Sequence, residues 1–175
     1  MQFVGGSAHS VPAVFSNWKG AKLLCALAQN TYWFLVLRSD LGAREGDLDA
    51  VKGLTIAASP LIGLPLKHLL AAYGINTELD QVHIEPLPAR YREDAPSFGV
   101  AASNALSDGA VDGFWANGMA AELAVRAGTG TVVFDARRAE SPPEARYYSI
   151  ASLITSDQMI EIRPDEVREA IRGVL

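Results

Sequence analysis

Between residues 54 and 134, short apolar runs alternate with helical stripes, and that alternation constrains the fold more than any other feature of the chain. Leu54-Thr55-Ile56-Ala57-Ala58 is a continuous apolar run, as expected of a strand buried on both faces of a sheet. Leu66, Leu69, Leu70 and Tyr73 follow at the i, i+3, i+4, i+7 spacing of an amphipathic helix, which Gly74 stops. Val82–Pro86 is a second short strand, ended by proline. Phe98, Ala102, Ala105 and Leu106 form a second helical stripe, closed by Gly109. Val111–Ala116 is a third strand, 118–127 a third helix stopped by Gly128, and Thr131–Phe134 a fourth strand. Strand and helix alternating at this spacing predict a parallel α/β sheet with right-handed crossovers.

The flanks have a different character. Residues 1–38 contain no acid, and Lys19 and Lys22 are the only charged side chains before Arg38. Ala21–Ala28 and Tyr32–Leu37 read as strands separated by the polar Gln29-Asn30-Thr31. The polar stretches Arg38–Lys52 and Asp135–Tyr147 bracket the alternating block and are expected to be crossings between two lobes. At the C-terminus, Pro164 suits the first helical position and Asp165 and Glu166 the first turn, ahead of a stripe of Val167, Ala170, Ile171 and Val174. The expected division is 1–45 as part of one lobe, 46–135 as an inserted α/β lobe, and 136–175 as the return crossing with the rest of the first lobe.

Composition narrows the partners. A chain of 175 residues that is 49% hydrophobic can bury a sizeable core, and a net charge of −5 with dispersed Lys and Arg argues against nucleic acid. The longest apolar stretch, Leu23–Leu37, is broken by Gln29, Asn30 and Thr31, so no membrane span is predicted. Met1–Gly6 shows no basic start or long apolar run, so no signal peptide is visible. The single cysteine, Cys25, rules out an internal disulfide framework and reads as a small core hydrophobe.

Parallel α/β sheets take ligands beyond the carboxyl ends of their strands, where unpaired N–H groups and the positive end of the helix dipole favour anions. Three such places occur: Ser59 and Leu61 after the first strand of the block, Trp115 and Asn117 after the third, and Gly5-Gly6-Ser7-Ala8-His9-Ser10 near the start of the chain. Ser59 and Asn117 also suit helix caps, and Trp115 also suits a core. Catalytic templates fail. His9 occupies the last position of what would be a G-x-S-x-G elbow, and no H-E-x-x-H, C-x-x-C or P-loop lysine occurs. Nothing in these residues calls for a cofactor, a metal or an enzyme.

The order GGSAHS (5–10), LLCALAQNTYWFLVLRSD (23–40), GDLDAVKGLTIAAS (46–59), FGVAASNALSDGAVDGFWANGMAAELAVRAG (98–128) and D-x-R-R (135–138) resembles the substrate-binding proteins of ABC transporters, of the sulfonate/nitrate/taurine (NMT1/THI5-like) type. The resemblance implies a periplasmic-binding-protein type II fold, with two three-layer α/β/α lobes and mainly parallel sheets closing on a small ligand. It implies binding groups at Ser7 and His9, at Gln29 and Asn30, and at Ser59, Leu61 and Asn117. Family members are longer, which predicts that the first lobe here is incomplete at both ends while 46–135 is a whole lobe, with exposed apolar surface where the missing elements would pack. The implied role is non-enzymatic: a periplasmic solute-binding component that presents a sulfonate, nitrate, taurine or pyrimidine-like molecule from its interlobe cleft to an ABC permease. Two alternatives stay open. One is a small-metabolite enzyme on the same fold, of the thiamine-pyrimidine or desulfination type, with His9 or Cys25 carrying chemistry. The other is the sensing domain of a transcription regulator, which needs a helix-turn-helix upstream.

Overall fold

The structure, a computed structural model, describes residues 2–60, 62–93, 95–138 and 146–175. The chain divides into two compact units: Tyr32–Arg146, and a smaller one made of Met1–Thr31 with Tyr147–Leu175.

In the larger unit, β3 (Phe34–Arg38), β4 (Thr55–Ala57), β5 (His83–Glu85), β6 (Gly113–Ala116) and β7 (Gly130–Asp135) form one sheet in the order β5-β4-β6-β3-β7. The helices are α2 (Gly63–Ala72), the single turn α3 (Ala89–Arg92), α4 (Phe98–Ser107) and α5 (Gly118–Arg126). β4 pairs parallel with both β5 and β6, as the alternation predicts. β3 lies antiparallel between β6 and β7, with Phe34 opposite both Ala116 and Asp135. This differs from the expected division at residue 45. Leu35, Val36 and Leu37 have no exposed surface at all, and the only place that buries such a run on both faces is the middle of this sheet.

Side chains alternate between the two faces. Leu35, Leu37, Ile56 and Trp115 join Leu66, Leu69 and Leu70 of α2 on one side. Phe34, Val36, Ala57 and Phe114 join Ala101, Ala102, Ala105, Ala120 and Ala124 of α4 and α5 on the other. Each fully buried leucine contributes about 1.5–3 kcal/mol, so the α2 face alone is a strong core. The alanine-rich face lets helices come close: a Cβ on Gly99 would sit 3.3 Å from that of Ala120. Gly113 is tighter still, because a Cβ there would lie 2.7 Å from the carbonyl oxygen of Val36 and 2.6 Å from Leu37. The neighbouring Asp112 locks three strands, accepting from the Thr55 N–H at 3.0 Å and pairing with Arg38 at 3.6 Å.

The smaller unit contains β1 (Phe3–Ser7), α1 (Ser10–Val14), β2 (Ala21–Ala26), β8 (Ala151–Ser156), α6 (Asp157–Ile162) and α7 (Pro164–Arg172). Its sheet has the order β1-β8-β2, with β8 antiparallel to both neighbours, so the parallel character of the fold belongs to the larger unit. A bulge interrupts β2 between Leu23 and Cys25. Ser156 caps α6 by accepting from the Met159 N–H at 3.1 Å. Asp157 takes the Gly20 N–H at 2.7 Å and the Lys22 ammonium at 2.8 Å. Pro164 opens α7, as expected. The shared core is small, gathered around Val11, Ala21 and Ile154, while Val4, Val14, Trp18, Leu23, Leu27 and Ile162 are exposed.

Candidate functional site

The first candidate group lies in the smaller unit, where β1 gives way to α1. Ala8 donates its N–H to Ile150 at 2.8 Å, and the Ser10 hydroxyl donates to the Ser7 carbonyl at 2.6 Å, which fixes the turn. His9 occupies the cap position of α1 without capping it. Its ring is held elsewhere: Ser7 Oγ lies 3.4 Å from Nδ1, and Nε2 is hydrogen-bonded to the Tyr148 hydroxyl. The His9 and Tyr148 rings stack with centroids 5.2 Å apart and an interplanar angle of 8°. Burial pushes the Tyr148 phenol above its ordinary pKa. Thr31 donates to the Tyr148 carbonyl at 3.3 Å, and the Asn30 N–H donates to Ser149 Oγ at 3.2 Å. Asn30 has φ +66°, so its backbone shapes this turn. Gln29 is exposed.

Of the sequence-predicted residues, the structure therefore brings Ser7 and His9 together and ties the backbone of Asn30 to Ser149, the neighbour of Tyr148. Tyr148 and Ser149 were not anticipated. They lie about 140 residues downstream in a polar stretch with no motif. The assembled groups are a hydroxyl, an imidazole and a phenol, donors and acceptors that suit an oxyanion or a polar ring.

The second candidate region is the edge of the larger sheet where β4, β5, β6 and β7 end. Ser59 is not the cap of α2. Its carbonyl accepts from Ile62 and Gly63 at 2.9 and 2.8 Å, leaving a half-buried hydroxyl beside a hollow of about 120 Å³ that Lys67 and Pro86 also line. Leu61 lies outside the described residues. Asn117 sits at the cap position of α5, exposed, and its side chain makes no capping bond. Trp115 is 1% exposed, so its position at the strand end does not open it to solvent. It stacks on Trp33 with centroids 6.4 Å apart, and Trp33 stacks on Tyr32 at 5.6 Å. Among the described residues, the buried indole N–H groups of Trp33 and Trp115 have no hydrogen-bond partner.

Arg137, from the D-x-R-R segment, places its guanidinium 4.5 Å over the Phe34 ring. It is committed to Asp135 through two bonds of 2.9 and 2.8 Å. Burial pushes the Asp135 carboxyl up, but the side chain and backbone N–H of Arg137, with the charge of Arg138, outweigh that and hold it below its ordinary value. The Arg137 charge is thus already neutralised, whereas Lys67 lines the hollow beside Ser59. Cys25 is half-buried beside the β2 bulge, and His68 and His83 are exposed. Among the described residues, no His, Cys, Asp and Glu side chains converge as a metal site, and no helix is long and apolar enough to cross a membrane.

No family model matches the chain, and no curated protein matches it in sequence. Solved structures do match it in fold. The periplasmic nitrate-binding protein NrtA from Synechocystis PCC 6803 superposes with a TM-score of 0.68 at 11% identity, over 99% of this chain and 45% of that one. The putative sulfonate ABC transporter, periplasmic sulfonate-binding protein SsuA from Methylobacillus flagellatus KT, gives 0.66 at 18% identity, over 99% and 47%. The desulfurization enzyme DszB gives 0.55 at 15% identity, over 98% and 60%. The chain has the fold of periplasmic substrate-binding proteins. It spans about half the length of NrtA and SsuA.

Proposed function

We propose that the chain is a solute-binding module of an ABC importer that takes a small anion or a polar heterocycle, of the sulfonate, nitrate, taurine or pyrimidine-like kind, acts outside the cytoplasm and delivers to a permease. The observation that carries this is the Ser7–His9–Tyr148 group: two polar side chains from the β1–α1 turn and one from 139 positions beyond His9, held in one hydrogen-bonded set on a fold shared with nitrate- and sulfonate-binding proteins. A hydroxyl, an imidazole and a phenol replace the ligand's hydration with hydrogen bonds. The desulfination-type alternative rests on the likeness to DszB and on the Ser7–His9 contact.

The test is a thermal-shift series on the 175-residue chain with an alkanesulfonate, taurine, nitrate and an aminopyrimidine. A ligand at a hundred times its Kd stabilises the folded state by about 2.7 kcal/mol, a shift well within reach. No shift with any of the four, at millimolar concentration, overturns the proposal. Turnover of an aryl sulfinate that is lost on His9→Ala moves the case to the enzymatic alternative.

A further inference from the structure

The turn that joins β6 to α5 holds a residue pair that occurs once in the chain. Asn17, Asn30, Asn76 and Asn104 precede Trp, Thr, Thr and Ala, whereas Asn117 precedes Gly118. Both members of the pair are exposed, between the buried Ala116 and Ala120. Asn117 stands at the cap position of α5, and its carboxamide makes no capping bond. Gly118 is the first helical residue, so its N–H has no acceptor within the helix, and no other backbone carbonyl among the described residues takes it. A glycine nitrogen has no side chain beside it and reaches the preceding side chain with the least hindrance. Comparable groups elsewhere are restrained. Asn76 Oδ1 accepts from the N–H groups of Glu78 and Leu79 at 2.9 and 3.1 Å, and Asn104 lies inside α4. Of the Asp-Gly pairs, Asp108 accepts from the Tyr91 hydroxyl at 2.9 Å while the Gly109 N–H donates to Leu106, and Asp112 is held by Thr55 and Arg38.

We propose that Asn117 is a site of spontaneous deamidation. Base removes the Gly118 amide proton, the nitrogen forms a bond to Cγ of Asn117, and the Cγ–Nδ2 bond breaks. That nitrogen leaves as ammonia, taking a proton from water. Water then opens the cyclic imide: cleavage at Cγ gives aspartate, and cleavage at the main-chain carbonyl gives isoaspartate, whose peptide link runs through the side chain. Water is consumed and ammonia released, with nothing oxidised or reduced, and each chain adds one negative charge to its net −5. The aspartate product suits its place, because a carboxylate accepts the free N–H groups of the first turn and meets the positive end of α5. Isoaspartate lengthens the main chain by one carbon between two buried alanines and opposes the β6–α5 turn. The consequence for a ligand rests on the anion-binding reading, since an amide able to donate becomes a like charge, whereas the conversion itself does not depend on that reading.

The 175-residue chain, held at mildly alkaline pH and physiological temperature and sampled over days, is expected to build up a more acidic species on isoelectric focusing. Ammonia is released in step, and peptide mass spectrometry places the change at Asn117. Raising the pH speeds the conversion, because base removes the Gly118 proton. Gly118→Ala hinders the attacking nitrogen and is expected to abolish the acidic species over the same series. Its Cβ would make ordinary contact with Phe34 at 3.4 Å, so the fold is kept. Asn117→Gln, which would have to close a larger ring, is expected to do the same and carries the test if Gly118→Ala fails to fold. A wild type in which Asn117 stays an amide throughout the series overturns the proposal. So does an acidic species that a folded variant forms at the wild-type rate, or one mapped only to other residues.

Discussion

His9 and Tyr148, 139 positions apart in the chain, share a hydrogen bond through Nε2 and the phenol while their rings lie nearly parallel. That double contact fixes the imidazole plane and leaves Nδ1 toward the Ser7 hydroxyl. One aromatic ring thus sets the presentation of the group proposed to meet the ligand.

Tyr148→Phe keeps the stack and deletes the hydroxyl. A neutral hydrogen bond is worth about 0.5–1.5 kcal/mol, so ligand affinity is expected to fall roughly 2- to 12-fold by calorimetry with little change in melting temperature. His9→Ala is expected to cost more, since stack and bond are both lost. Equal affinity for wild type and both variants removes this group from the binding site.

Gly113→Ala tests the close approach in the larger sheet. The added Cβ meets a main-chain carbonyl at 2.7 Å as well as side chains of Leu37 and Ile56, and the carbonyl cannot rotate away. A loss of about 3 kcal/mol in denaturant unfolding is expected, whereas Gly46→Ala, with open space around it, costs only its positive-φ strain of about 1 kcal/mol.

Trp115 separates packing from hydrogen bonding. Its indole N–H has no partner among the described residues, so Trp115→Phe gives up no bond to them and is expected to destabilise by only about 1–2 kcal/mol, against about 3–5 kcal/mol for Trp115→Ala. A Phe variant as damaged as the Ala variant would falsify the claim that the N–H is idle.

Asp157 gives the smaller unit a dependence on acid. The Lys22 ammonium first, and then the Gly20 N–H, hold its carboxyl below the ordinary range. A depressed folded-state pKa contributes stability that is fully present above the unfolded value, about 3.9, and is lost as pH falls below it toward the folded value. The melting temperature of the wild type is expected to drop relative to Asp157→Asn as pH goes from about 5 to about 3. The pair is partly exposed, so added salt should narrow the gap.

The strand-and-helix alternation from Thr55 to Asp135 was legible because each element is local: its period, its stop and its caps lie within a dozen residues. The place of Phe34–Arg38 was not. Its apolar run announces a buried strand, but only pairing with residues 113–116 and 130–135 decides which sheet it enters, and sequence periodicity carries no such information. The candidate site divides in the same way. Ser7 and His9 stand in a visible glycine-serine turn, and Asn117 at a visible strand end. Tyr148 is one tyrosine in a charged, proline-containing stretch, and its partner is set by the antiparallel register of β1 on β8. Trp115 was visible by position, yet its burial depends on Trp33, which sits before a strand whose location was itself hidden.

The position of β3 also bears on how the protein is made. During synthesis Phe34-Leu35-Val36-Leu37 leaves the ribosome about 80 residues before β6 and about 100 before β7 exist to flank it. Until then a strand with no polar face has nothing to pair with, and β6 and β7 cannot settle side by side without shutting it out. The larger unit is therefore expected to need shelter from a chaperone while it is synthesised, and to aggregate on rapid refolding in proportion to its concentration.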